Sequence, residues 1–193
     1  MKNYQEDWLD HVKFKHISYD EFPLEKEKRY YFLEKAAGRE GAIVYQRNKH
    51  CFMIDRNNDV YKDLYFLDMY KEVLDSKKSI QNIIIPGEVV AIHRGRILPV
   101  NQLENLLKRF NTGATINKLI HHYPYDIFTL NNRNIDFSTV TNYMTMFYMK
   151  PLIRVPKFFK GNIELAWKDF LKKRGIEGLM ARKEGGPNYL ILK

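Results

Sequence analysis

One lysine stands out for the company it keeps. The stretch Tyr31-Phe32-Leu33-Glu34-Lys35-Ala36-Ala37-Gly38-Arg39-Glu40-Gly41-Ala42-Ile43-Val44 brings an apolar run to Lys35, breaks at glycine, and leaves as a second apolar run. A strand that ends in a lysine, turns and returns as a strand holds an amine at the floor of a cleft, where it becomes a nucleophile once its proton is lost. Lys-x-x-Gly alone carries almost no information. Downstream, however, come Asp55-Arg56-Asn57, Gly87-Glu88, Tyr125-Asp126, Glu177-Gly178-Leu179-Met180 and Lys193. Glu88 and Glu177 each lie on an otherwise apolar stretch, and so does Asp126. Burial makes an isolated strand acid costly unless it has a partner or a task.

The elements that must position these groups are legible from pattern. Three β-rich runs, Tyr30–Glu34, Ala42–Arg47 and Cys51–Asp55, are separated by short polar turns and predict antiparallel hairpins. Lys62–Lys77 places Leu64, Leu67, Tyr70 and Leu74 on one helical face. Ile83–Ile92 reads as a buried strand broken at Pro86-Gly87 and resuming past Glu88. A helix is expected over Asn101–Phe110 with Asn101 as its N-cap, strand-like structure over Ile116–Leu130, and a helix over Phe137–Met149. Asn162–Arg174, closed by Gly175, is the clearest helix, and a terminal hairpin joins Gly178–Lys183 to Tyr189–Lys193 around Gly185-Gly186-Pro187. Residues 3–15 show helical spacing of Tyr4, Trp8, Leu9 and Val12, followed by a polar connecting segment to residue 29. The fold class expected is α+β, with twisted antiparallel sheets and flanking helices. Residues 1–29 form an N-terminal helix and connector, and residues 30–193 one domain.

Composition narrows the function. Lys+Arg total 32 against Asp+Glu 23, a net charge of +9 that favours polyanionic partners, nucleic acid above all. A single cysteine, Cys51, excludes an internal disulfide framework and a cysteine-based zinc site and suits a reducing cytoplasmic setting. Acids occupy the N-terminus where a signal peptide needs an apolar run, and no window matches a transmembrane helix, so no membrane partner is expected. His121 and His122 would point to opposite faces of a strand and so do not share a metal.

The order of these motifs resembles the lysine nucleotidyltransferase superfamily: ATP-dependent DNA ligases, RNA ligases and messenger-RNA capping enzymes. FMIDRNNDVYKDL, PGEVVAIHRGRILPVNQLENLLKRF and RGIEGLMARKEGGPNYLILK carry the resemblance, which runs from about Tyr30 to Lys193. It implies an ATP-grasp-like nucleotidyltransferase domain. Lys35 would be the catalytic nucleophile, with Glu34, Gly38, Arg56, Glu88, Tyr125, Glu177 and Lys193 around the nucleotide. Arg56 would face the ribose, Tyr125 would stack on the base, and Lys193 would contact the α-phosphate. Glu88 and Glu177 would hold magnesium or manganese, with ATP as the nucleotide. Nearby positive charge and partial burial would favour the neutral amine.

The implied reaction is the sealing of 5′-phosphate and 3′-hydroxyl ends through a lysyl-AMP, on nicked DNA or on RNA. Capping with GTP, or nucleotide or nucleic-acid binding without turnover, are the alternatives. Ala37 and Glu40 depart from the family, which usually places an acid and an arginine or asparagine at those positions. No OB-fold domain is present in the sequence, which implies either a trimmed domain or reliance on a separate OB-fold or partner protein.

Overall fold

In the computed structural model the described residues are 13–109, 114–173, 175–184 and 188–193. They form two sheets with helices packed against both. The strands are β1 (Lys13–Ile17), β2 (Tyr30–Ala36), β3 (Arg39–Gln46), β4 (His50–Asp55), β5 (Val60–Tyr61), β6 (Asn82–His93), β7 (Arg96–Ile97), β8 (Ile120–Pro124), β9 (Thr129–Leu130), β10 (Phe159–Lys160), β11 (Ile176–Lys183) and β12 (Asn188–Leu192). The helices are α1 (Tyr65–Ser76), α2 (Val100–Arg109), α3 (Ala114–Asn117), α4 (Phe137–Met144) and α5 (Ile163–Phe170).

One sheet runs β1-β12-β11-β2-β10, and the other β5-β4-β3-β6-β7 with β8 and β9 also on β6. The chain crosses between sheets at the turn after Lys35, since β2 belongs to the first and β3 to the second. That turn is tight. A Cβ on Gly38 would stand 2.4 Å from the Val89 carbonyl oxygen and 2.8 Å from Val90 Cγ1, so only glycine lets the turn pass over β6.

Of the expected hairpins, β3 pairs antiparallel with β4 and β11 with β12, the turn residues 185–187 lying outside the described set. Residues 30–34 do not pair with residues 42–47: β2 pairs with β10 and β11 in the other sheet. Other expectations shift. Of the helix expected over 3–15, residues 1–12 lie outside the described set, and Lys13 onward is strand β1, paired parallel with β12. The first sheet is therefore mixed, and the connector contains two 3₁₀ turns, Tyr19–Glu21 and Leu24–Arg29. β6 runs unbroken through Pro86, which pairs opposite Ala42. Asn101 lies inside α2 rather than at its cap, because the first turn is closed onto the Pro99 carbonyl. The segment 116–130 divides into the end of α3, β8 and β9. Helix α4 stops at Met144 and continues as a 3₁₀ turn, and α5 ends at Phe170, with Asn162 capping its start.

The main core lies in and beneath the second sheet, where Ile43, Met53, Phe66, Tyr70, Ile85 and Phe147 are among the enclosed side chains. A smaller cluster, including Phe22, Phe32, Ile163 and Leu192, fixes α5 against the first sheet. Arg47 ties the end of α1 to β3, donating to the carbonyls of Leu74, Asp75, Lys77 and Ile80. Its guanidinium fork thereby satisfies carbonyls that a helix end leaves open. No helix among the described residues is long and apolar enough to cross a membrane.

Candidate active site

Three strands from both sheets meet at one amine. Lys35 Nζ, at the end of β2, donates to Glu88 Oε1 at 2.8 Å and to Glu177 Oε2 at 3.0 Å. Glu88 comes from the middle of β6 and Glu177 from the start of β11. Lys193 Nζ completes the chain of charges at 2.9 Å from Glu177 Oε1. The Lys35 side chain is 11% exposed and that of Glu88 3%, whereas Glu177 is 33% exposed and forms the open side. β2 and β11 are adjacent antiparallel strands, and a register shift between Ile176 and Gly178 lies at Glu177.

A second group of charges adjoins the first. Glu40, on β3 directly opposite Glu88 on β6, is ion-paired with Arg56 and accepts a hydrogen bond from Tyr125 Oη at 2.7 Å. Arg39, its neighbour, turns to the other side and pairs with the fully buried Asp55 at 2.5 Å. The position where the resemblance expected a base is thus a buried carboxylate, and Arg56 supplies the cation beside it.

The protonation balance follows from burial and pairing. Burial pushes the Lys35 amine down, but the Glu88 and Glu177 carboxylates outweigh it and hold the amine above its ordinary value. The expectation of a neutral resting amine is therefore corrected: two carboxylates within hydrogen-bond distance stabilise the ammonium more than burial disfavours it. Glu88 is raised to about 7, chiefly by burial and against the pull of Lys35. Burial also raises Glu40 despite its bonds to Tyr125 and Arg56. Burial would raise Glu177 too, but hydrogen bonds from Lys193 and Lys35 bring it below the usual carboxylate range. The proton therefore rests on the Lys35 amine, with a carboxyl group that titrates near neutrality beside it.

The arrangement brings together Lys35, Glu88, Glu177, Lys193, Arg56 and Tyr125 among the residues predicted from sequence. Glu34 is not among them: the strand alternates, and its carboxylate pairs with Lys173. Gly38 shapes the turn. Tyr125 is only 2% exposed and its hydroxyl is committed to Glu40, so it offers no open ring face. Behind it lies a buried polar knot in which Asp126 accepts from Arg182 Nε at 2.7 Å and from the Tyr189 hydroxyl. Sequence reasoning missed Phe14, whose ring packs on Tyr125 and Tyr189 and has Lys35 Nζ over it at 5.9 Å. The alternation Lys13-Phe14-Lys15-His16-Ile17 was the available signal, masked by the helical spacing further upstream.

For a divalent cation, Glu88 and Glu177 are the donors within reach. Glu88 Oε2 is buried without a hydrogen-bond partner among the described residues, so it has unused capacity as a ligand. No group of three histidine, cysteine or carboxylate side chains that could hold a metal occurs among those residues. The two carboxylates fit a cation whose remaining ligands come from substrate oxygens and water, the usual situation for magnesium.

No protein-family model and no curated protein matches the chain. Solved structures do. The chain has the fold of DNA ligase domains, a two-sheet α+β arrangement. Mycobacterial DNA ligase D, complexed with ATP and MES, superposes with a TM-score of 0.63 at 14% identity over 95% of this chain and 60% of that one. The ligase domain of M. tuberculosis LigD gives 0.64 at 13% identity over 94% and 59%. The ATP-dependent DNA ligase of bacteriophage T7, complexed with ATP, gives 0.58 at 16% identity over 94% and 68%. The chain thus spans about three-fifths of the length of the two mycobacterial ligases.

Proposed function

We propose that this chain is an ATP-dependent, DNA-ligase-like nucleotidyltransferase that forms a covalent lysyl-AMP on Lys35 and joins 5′-phosphate to 3′-hydroxyl ends. The observation that carries the reading is the convergence of Glu88 and Glu177 on Lys35 Nζ from separate strands. A lysine serving only as a solvated turn residue would not be enclosed between two acids distant in sequence.

In the first step the neutral amine attacks the α-phosphorus, a nitrogen–phosphorus bond forms, the bond to the β-phosphate oxygen breaks, and pyrophosphate leaves. Glu88 takes the amine proton, since burial lifts its carboxyl to about 7 and makes the carboxylate a stronger base than a free glutamate. Entry of the triphosphate draws Lys193 and Arg56 toward phosphate and ribose oxygens and away from Glu177 and Glu40. Magnesium or manganese, held by Glu88 and Glu177, would neutralise phosphate charge and steady the departing pyrophosphate. Transfer of AMP to a 5′-phosphate then restores the amine, and attack by a 3′-hydroxyl expels AMP.

The net charge of +9 suits a phosphate-backbone partner, nicked DNA first and RNA second, with binding that weakens as salt rises. The domain reading is one nucleotidyltransferase unit over residues 30–193, which a separate OB-fold or partner protein would complement, in the cytoplasm. A second reading, nucleotide binding without turnover, draws on Glu40, a buried acid where the family usually has a base.

Incubating the protein with labelled ATP or GTP and magnesium, then denaturing it, separates these readings. Label from ATP, lost in Lys35→Ala and discharged by nicked DNA, is the expected result. Label from GTP alone indicates capping, and retention of nucleotide without covalent label indicates a binding protein.

A further inference from the structure

An aromatic ring beside the Lys35 amine belongs to β1. Phe14 stands opposite Tyr189 in the β1–β12 register, and Lys15 and His16 beside it face outward. Its ring meets Tyr125 edge-on, with centroids 5.9 Å apart at 76°, and leans on Tyr189 at 5.5 Å. These two tyrosines are both enclosed, whereas Phe14 is only partly buried. Two cations stand over the Phe14 ring, Lys35 Nζ at 5.9 Å and the Arg56 guanidinium carbon at 6.0 Å.

We propose that Phe14 is the surface against which the base of the bound nucleotide packs, so that strand β1 is a wall of the substrate site. The inference rests on the nucleotidyltransferase reading. A nucleotide with its α-phosphate at Lys35 and its ribose at Arg56 must set its base beside the ring that both cations already flank. Tyr125 and Tyr189 brace that ring from behind rather than touching the base. Every base has a π-face, so stacking on phenylalanine contributes affinity without reading hydrogen bonds. Phe14 therefore separates nucleoside triphosphates from bare polyphosphate and does not separate ATP from GTP.

Equilibrium binding of ATP and of inorganic tripolyphosphate to the wild-type chain, Phe14→Ala and Phe14→Trp tests this. Phe14→Ala is expected to weaken ATP roughly 5- to 100-fold. Its affinity for tripolyphosphate should stay unchanged, and Phe14→Trp should keep ATP affinity within about threefold of wild type. Equal or tighter ATP binding by Phe14→Ala overturns the proposal, because the ring would then be idle or would obstruct the base. Loss of ATP affinity in Phe14→Trp as severe as in Phe14→Ala overturns it as well. Failure of the wild-type chain to bind ATP would instead bring down the nucleotide reading, and this inference with it.

Discussion

Replacing Glu88 by glutamine should leave the protein more stable at alkaline pH and nearly unable to transfer a nucleotide. Glu88 is enclosed at the centre of β6, opposite the carboxylate of Glu40, with Lys35 on one oxygen and no partner among the described residues on the other. Its carboxyl titrates at about 7 in the folded chain, against 4.5 for a free glutamate. Between those values the folded state keeps a proton that the unfolded state has released, so stability falls as pH rises through that window. A shift of that size corresponds to about 3 kcal/mol, the upper limit of what the glutamine, as a mimic of the neutral acid, would recover at pH 8. We expect a gain of roughly 1–3 kcal/mol at pH 8 and about none at pH 4, read from urea midpoints. Nucleotide transfer should fall roughly 10²- to 10⁴-fold, the usual scale of a lost proton acceptor. A variant that is markedly less stable at pH 8, or one that transfers at the wild-type rate, would refute the reasoning: the first makes Glu88 a structural ion-pair partner, the second makes it a bystander.

Other expectations follow from single contacts. Gly38→Ala forces a Cβ against the Val89 carbonyl and should destabilise the chain by roughly 2 kcal/mol or more while displacing Lys35, measurable as a lower urea midpoint together with lost transfer. Arg182→Met strands the buried Asp126 carboxylate and should cost about 3–5 kcal/mol, whereas adding Asp126→Asn should recover part of that loss; equal instability of single and double variants would argue against a charge effect. The two buried histidines should destabilise the fold from about pH 6.5 downward, against the opposite contribution of Glu88 in the same window. Burial holds His121 at about 4 and His122 at about 3, so the unfolded chain takes up their protons first. His121→Gln should flatten the upper part of that decline in a pH series of urea midpoints.

Where apolar pattern and function coincided, the sequence was readable. Glu88 and Glu177 betrayed themselves as lone acids in apolar strands, and the turn after Lys35 by its glycine. The pairings Lys35–Glu88 and Lys35–Glu177 join residues 53 and 142 positions apart, which strand periodicity alone does not bring together; motif order suggested a shared site. Tyr125 and Glu34 show the opposite failure. Their types and neighbours suited a nucleotide, but strand alternation and a hydroxyl bond to Glu40 turn them to other partners. Phe14 was missed because a short run that alternates beside a helical pattern can follow either period, and only the exposed edge of β12 decides for strand. The ionisation state of Lys35 was also beyond pattern, since it depends on which of burial and two carboxylates is stronger.

The central claim is a covalent bond at one nitrogen. Mass mapping of peptides after incubation with ATP and magnesium tests it most directly. The account predicts one AMP on the peptide bearing Lys35, stable in alkali, released by acid, and absent from Lys35→Arg. A folded protein that binds ATP yet carries no adduct, or carries it on another lysine, would contradict the account.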